Sequence, residues 1–339
     1  MTSSNTQKIQ LDHGSGGSAS HQLITNLFLP TFDNPYLRQM DDSAQLTIGD
    51  NRIAFSTDTF VVSPIFFPGG DIGDLAINGT VNDIAMSGAK PLYLSVGMII
   101  EEGFSIHSLN RILKSMKKAA QIADVQVVTG DTKVMPSKKL DGIAINTAGI
   151  GVIESDYQIS ANRAQVGDRI IVSGTIADHG ITILTQRDNL MIEGDIQSDT
   201  ASLNHLVSKL ISACPDIHVL RDPTRGGITA VLNEIANQSG VEIEIQEDAV
   251  PIKPQIAACC ELLGLDPFSI ANEGKLISFV PESSVKQALS VMHQHKLAQK
   301  ASLIGTVVSD TKSVVYVKTP IGGKRLLHMP VGDQLPRIC

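Results

Sequence analysis

Strand-like and helix-like segments alternate along this chain in two successive runs, and a polar stretch, Glu154–Asp168, separates them. Strand candidates in the first run are Arg52–Thr57, Leu92–Ile100, Val125–Thr129 and Gly142–Ile153, each rich in Val and Ile or alternating in polarity. The clearest helix between them carries Leu109, Ile112, Leu113, Met116, Ala119, Ala120 and Ala123 on one face. Arg111, Lys114, Lys117 and Lys118 occupy the opposite face. The second run begins with strand Arg169–Ser173 and helices near Ile176–Gln186, Leu203–Ala213 and Gly227–Gln238. Strands Val241–Ile245, Lys275–Val280, Ser302–Val308 and Ser313–Thr319 follow. With 339 residues, too many for one ordinary core, this pattern predicts an α+β protein of two mixed α/β domains. The expected segments are 1–37, glycine-rich with a helix; 38–155 and 156–329, the two domains; and 330–339, a tail. Periodicity leaves the strand order open.

The tail, ten residues with two prolines and no apolar period, ends in a cysteine, Cys339. Proline neither continues a helix nor donates to a sheet ladder, so an extended, flexible arm is expected. Nine residues beyond Pro330 would reach roughly 30 Å, enough to load a thiol at one place and deliver it to another. The other cysteines, Cys214 and the adjacent pair Cys259 and Cys260, have no C-x-x-C spacing, and the pair reads as core.

A net charge of −8 argues against a broad nucleic-acid surface, and no apolar run approaches a membrane span. The polar start, Met1–Gln10, lacks the apolar heart of a signal peptide, so a cytoplasmic location is expected.

Carboxylates recur at strand ends and turns beside small or hydroxyl residues. They are Asp41-Asp42-Ser43-Ala44, Ser56-Thr57-Asp58-Thr59, Val81-Asn82-Asp83, Thr129-Gly130-Asp131-Thr132 and Arg221-Asp222-Pro223-Thr224-Arg225-Gly226-Gly227. One such aspartate is an ordinary turn residue or helix cap. Five suggest oxygen ligands for a hard cation such as Mg²⁺ bridged to phosphates. Gly79, Asp83 and Ser87 share a helix face of tiny residues, which would admit a ligand or a second chain closely.

Two glycine-rich turns, His13-Gly14-Ser15-Gly16-Gly17 and Arg225-Gly226-Gly227, open helices and offer backbone N–H groups to anions. Gly14, Gly16 and Ala19 also match G-x-G-x-x-A, but Thr31–Pro35 is a turn where a Rossmann unit needs a strand. No P-loop motif is present, so any ATP site is of another kind. Lys133 and Glu273 are candidates for acid–base work, whereas His179 reads as a cap or turn residue.

With these residues assembled, the chain resembles the HypE family of hydrogenase maturation factors. They are carbamoyl dehydratases of the superfamily that includes aminoimidazole ribonucleotide synthetase and selenophosphate synthetase. The likeness runs through His13–Gly17, Asp41–Ala44, Ser56–Gly70, Asn78–Pro91, Thr129–Lys133, Ser173–Gly180, Asp222–Gly227, Ala271–Lys275 and the ending Pro336-Arg337-Ile338-Cys339. The acidic and glycine motifs belong to the wider superfamily; the Pro-Arg-Ile-Cys ending distinguishes this member.

The resemblance implies ATP-dependent dehydration of a carbamoyl group on Cys339 to a thiocyanate, supplying cyanide for a nickel–iron hydrogenase. A HypF-type carbamoyltransferase would load the thiol, and HypC/HypD-type iron-carrying scaffolds would receive the cyanide. A homodimer joined through the sheets of the first domain is expected. Cys339, Lys133 and Glu273 would be catalytic. The expected nucleotide contacts are His13, Gly14, Gly16, Gly17, Asp58, Asn82, Thr132, Arg225 and Gly226. Asp42, Asp83 and Asp222, then Asp41 and Asp131, would hold Mg²⁺. The α-carboxylate of Cys339 disfavours its thiolate, and Arg337 or Lys133 would offset this. Two rival readings are another ATP-dependent enzyme that phosphorylates a small-molecule oxygen, and a non-catalytic thiol carrier or metallochaperone.

Overall fold

The computed structural model describes residues 8–154, 157–188, 190, 194–332 and 338–339. The expectation of a flexible tail falls largely on 333–337, outside the described residues. The chain begins with a 3-10 turn, Leu11–Gly14, and helix α1 (Ser18–Leu23), which passes through a π turn at Ile24–Phe28 into α2 (Leu29–Phe32).

The first domain is built on β1 (Ala44–Ile48), β2 (Asn51–Phe60), β5 (Lys90–Glu101), β6 (Gln126–Met135) and β7 (Ile143–Ile153). A small hairpin of β3 (Phe66–Phe67) and β4 (Gly70–Asp71) interrupts the series. The sheet order is β1-β2-β7-β5-β6, with only β5 and β6 parallel. Helices α3 (Ile72–Met86) and α4 (Ile106–Ala123) cover one face. Leu94, Val96, Met98 and Ile100 alternate inward along β5 against them. On the open face, Phe55 lies opposite Ile150, and Ile150 opposite Tyr93, forming an apolar row. These three are 42%, 39% and 44% exposed, far from the burial of their inward neighbours.

Helix α3 starts firmly because Asp71 caps it, accepting from the N–H groups of Gly73 and Asp74. Nearly all its residues are buried, since Ala85 and Met86 also pack into the second domain. Its small face does not receive a second chain at Gly79. A Cβ there would lie 2.8 Å from the ring of Phe60, so the glycine lets β2 of the same chain approach.

The second domain follows with β8 (Arg169–Val172), α5 (Asp178–Arg187), α6 (Asn204–Ala213), β9 (Val219–Arg221) and α7 (Gly227–Ser239). Next come β10 (Glu242–Gln246), α8 (Pro254–Leu263), β11 (Ile277–Val280), α9 (Val285–Gln294), β12 (Ser302–Ser309), β13 (Val314–Lys318) and β14 (Lys324–Leu326). Its sheet runs β14-β13-β10-β12-β8-β11-β9. Strand β8 shows the layering: Ile170 and Val172 join the core under α7, while Ile171 points into the core under α6 and α9. Cys259 and Cys260 are buried on α8, as expected. No helix among the described residues is long and apolar enough to cross a membrane.

Candidate functional site

Three carboxylates from three separate elements converge where the domains meet. Asp42 lies in the turn before β1, Asp83 on α3 and Asp222 just after β9. One oxygen from each falls within 4.8 Å of the others. The Ser56 hydroxyl lies 2.7 Å from Asp83 Oδ2 and 3.0 Å from the Asp42 carbonyl, tying β2 to both. Burial pushes the Asp42 and Asp83 carboxyls well above their usual range, and neighbouring carboxylates add to this. Burial likewise raises Asp222, to about 6, against the pull of Arg221. Asp42 Oδ2 is buried without a hydrogen-bond partner. Crowded carboxylates with an orphan oxygen fit a hard divalent cation better than they fit each other.

Asp58, Glu273 and Arg225 connect this group to the C-terminal thiol. Cys339 is 8% exposed, in surroundings shared with Arg225, Glu273 and Asp58. Burial drives its thiol pKa far up, and Arg225 is the one cation among these neighbours that opposes the shift. Arg225 is also 3.9 Å from Asp58 and acts on Glu273 and Asp83, so it links the thiol to the carboxylates. The Glu273 carboxyl is held well above its normal range, first by burial and then by Asp58 and Asp199. Its backbone N–H donates to Asp199 Oδ1 at 3.0 Å, and Lys275 pairs with Asp199 Oδ2 at 2.9 Å. Glu273 Oε1 has no partner, which leaves it available to a bound group.

The end of the chain is held on both sides. Val61 N–H donates to an oxygen of the Cys339 α-carboxylate at 3.1 Å, and His179 Nε2 is 2.7 Å from the Ile338 carbonyl. His179 was not picked out by the sequence reading. Its sole signal is a histidine in Asp178-His179-Gly180, which local chemistry alone reads as a cap. Instead it is wholly buried.

The remaining expected residues divide by position. Gly16 and Gly17 form a tight joint. A Cβ on Gly16 would meet Arg225 at 2.8 Å, and one on Gly17 would meet the Pro330 carbonyl at 2.5 Å. That carbonyl accepts from Ser18 N–H at 2.9 Å. Gly226 packs against the same joint, 3.3 Å from the Gly16 carbonyl by the same test. His13 and Gly14 lie at its outer edge, His13 bonding back to Gln10. Asn82 spends its amide on the backbone of the second domain: Nδ2 donates to Ala201 O at 3.1 Å, and Oδ1 accepts from Leu203 N–H at 2.7 Å. Asp41 binds Ser160 Oγ and Ala161 N–H, so it braces a turn outside the carboxylate group. Asp131, Thr132 and Lys133 lie on exposed edge strand β6, where Lys133 pairs with Asp131 at 2.9 Å. Within one chain they do not join the thiol or the carboxylates. Arg337 lies outside the described residues. Arg221 was missed as a site residue; it is 2.9 Å from Asp42 and 2.8 Å from Glu234.

Known proteins share this fold. Residues 40–153 match the N-terminal domain of AIR synthase related proteins, and residues 165–318 match their C-terminal domain. Carbamoyl dehydratase HypE of Azotobacter vinelandii is 49% identical over 98% of this chain and 97% of its own length. The Escherichia coli protein of the same name is 46% identical over 98% of this chain and 99% of its own. Among solved structures, HypE in complex with ATP superposes with a TM-score of 0.83 at 50% identity, covering 98% of this chain and all of that one. The HypE–HypF complex superposes with 0.87 at 44% identity, covering 91% and 99%. Relatedness of this degree, end to end and over both domains, makes the chain a member of the HypE family of carbamoyl dehydratases within the AIR synthase related proteins.

Proposed function

We propose that this chain dehydrates a carbamoyl group carried on Cys339 to a thiocyanate, at the expense of ATP, for the maturation of nickel–iron hydrogenase. The observation that carries this reading is the C-terminal thiol lodged beside Glu273 and Arg225, which connect it to the carboxylate group. A relative 50% identical to the chain is known in complex with ATP, which supports the nucleotide. Bound ATP supplies the phosphoryl group that makes the carbamoyl oxygen a leaving group. In the net change the carbon–oxygen bond breaks, the oxygen departs in phosphate, the nitrogen gives up both protons and a C≡N bond remains.

The chain's own residues fit these demands. Asp42, Asp83 and Asp222 would hold Mg²⁺, whose charge offsets that of the phosphates. Arg225 steadies negative charge between Asp58 and the tail. Glu273, its backbone held by Asp199, would take a nitrogen proton when ionised, and its burial makes that form a stronger base than an exposed carboxylate. Burial of Cys339 keeps water from the activated carbamoyl group.

Lys133, Asp131 and Thr132 complete the site from a second copy in this reading. The apolar row Phe55, Ile150 and Tyr93 beside exposed β6 favours a homodimer through the sheets. A HypF-type carbamoyltransferase is the loading partner, as the complex formed by a 44% identical relative suggests. HypC/HypD-type scaffolds are the acceptors.

Intact-mass spectrometry tests the reaction. The carbamoylated chain should lose one water on addition of Mg·ATP, and Cys339→Ala should never gain the carbamoyl group. A mass unchanged by Mg·ATP would sink the proposal.

A further inference from the structure

His179 and Ser198 have no part in the chemistry just described, yet they are tied to the tail by well-formed hydrogen bonds. His179 Nε2 lies 2.7 Å from the Ile338 carbonyl, and Nδ1 lies 2.8 Å from Ser198 Oγ. A carbonyl only accepts, so Nε2 carries a proton. Burial favours the neutral ring, so Nδ1 accepts the Ser198 hydroxyl proton. Ser198 Oγ in turn accepts from Thr200 N–H at 3.2 Å, and its own N–H donates to Pro68 at 3.0 Å. Every member of the chain of bonds has one consistent role.

We infer that His179 is a positioning residue for the tethered substrate: fixed by Ser198, its Nε2–H holds the Ile338 carbonyl and thereby sets where the Cys339 thiol meets Glu273. This rests on the proposed reaction for its purpose but on its own geometry for its existence.

Three further contacts narrow the seat. Val61 N–H holds the Cys339 α-carboxylate from the first domain while His179 holds the Ile338 carbonyl from the second, so the terminal pair bridges both. The Ile338 side chain is 5% exposed, and a Cβ on Gly180 would come within 3.1 Å of its Cδ1. Phe67 meets the His179 ring edge-on at 5.6 Å and blocks rotation on that side. Moreover, Asp199 lies between Ser198 and Thr200 and accepts from Glu273 N–H. One three-residue segment therefore supports both the group that seats the tail and the backbone of the base.

Thiol accessibility tests the seat apart from the reaction. The full-length protein, with the variants His179→Leu, His179→Gln and Ser198→Ala, would be exposed to iodoacetamide and each cysteine followed by mass spectrometry. Removing the donor should speed alkylation of Cys339 roughly tenfold, the value of one hydrogen bond of about 1.4 kcal/mol, and leave Cys214, Cys259 and Cys260 slow. Glutamine, whose amide N–H reaches the same position, should restore slow labelling. Ser198→Ala, a milder change that keeps the ring, should fall between. Water loss from the carbamoylated chain should slow in the same order with ATP affinity unchanged. Equal Cys339 labelling in His179→Leu and wild type would overturn the inference, as would a glutamine variant that behaves like leucine. If the labelling order holds while the wild type loses no water, the seat stands and the dehydration reading falls.

Discussion

Arg221 Nε stands 2.9 Å from Asp42 Oδ1, so one member of the carboxylate group is tethered to a buried cation while its other oxygen has no partner. The same guanidinium reaches Glu234 at 2.8 Å and the Met40 carbonyl at 3.3 Å. Breaking a buried pair strands the remaining charges. Arg221→Met should therefore cost about 3–5 kcal/mol in urea unfolding. Mg²⁺ should recover part of the loss by replacing the missing positive charge. A loss below about 1 kcal/mol would mean the pair is screened like a surface one.

Asp83→Asn keeps volume and removes one charge from the carboxylate group. Mg·ATP should raise the melting temperature of the wild type more than ATP alone, since a ligand of the native state stabilises it by mass action. In the variant the two shifts should be equal. A wild-type shift indifferent to Mg²⁺ would remove the cation from the site.

Glu273→Gln retains shape and hydrogen bonding but not the base. The carbamoylated species should accumulate with ATP present, its water loss slowed by roughly 10²–10⁴-fold. A rate within a few-fold of wild type would leave proton removal to another group, with Lys133 next to be tested.

Ile150→Lys places a charge in the middle of the row Phe55, Ile150 and Tyr93, on the sheet face away from the helices. The folded chain has room for it, because Ile150 is 39% exposed. Light scattering should show a dimer for the wild type and a folded monomer for the variant, with activity lost alongside. A variant that remains dimeric would move the interface elsewhere.

Asp74 gives a pH signature. Burial raises its carboxyl to about 7, above the value near 4 of an unfolded chain. The folded state thus keeps a proton that the unfolded state gives up. Stability through this group is undiminished below about pH 4, falls as pH rises to about 7, and is level beyond. Asp74→Asn, which still offers an oxygen to the Asp71 N–H, should cancel the fall. The difference in melting temperature between variant and wild type should be near zero at pH 4 and favour the variant at pH 8.

The longer elements were legible because their apolar periods are long. Helix α4 buries Ile112, Met116, Ala119, Ala120 and Ala123 of its expected face, though Leu113 at the edge of that face stays 45% exposed. Strand β7 runs within one residue of its expected bounds. Strand β9, three residues long, has no period to read, and β1 lay hidden beside the acidic motif it supports. Asp42, Asp83 and Asp222, foremost in the sequence reading, are the three brought together, from the turn before β1, helix α3 and the end of β9. Asp41, expected as a second-rank ligand, turns the other way from its neighbour Asp42 and binds Ser160 and Ala161 instead. His179 was illegible for another reason. Its partners are 19 and 159 residues away, and only folding brings them near. The tail reads as an arm because its two prolines interrupt any helix or strand, and nothing local tells that Ile338 is buried.

The joint at Gly17 and Pro330 makes the docking of the chain's last residues a unimolecular event. Its base is pinned by the Ser18 N–H, and from there the remaining nine residues reach at most about 30 Å. A thiol confined to that radius meets its seat at an effective concentration in the millimolar range. The contacts of Ile338 and Cys339 can then be individually weak and still hold the loaded end for a turnover. Dilution of the protein leaves this docking equilibrium unchanged.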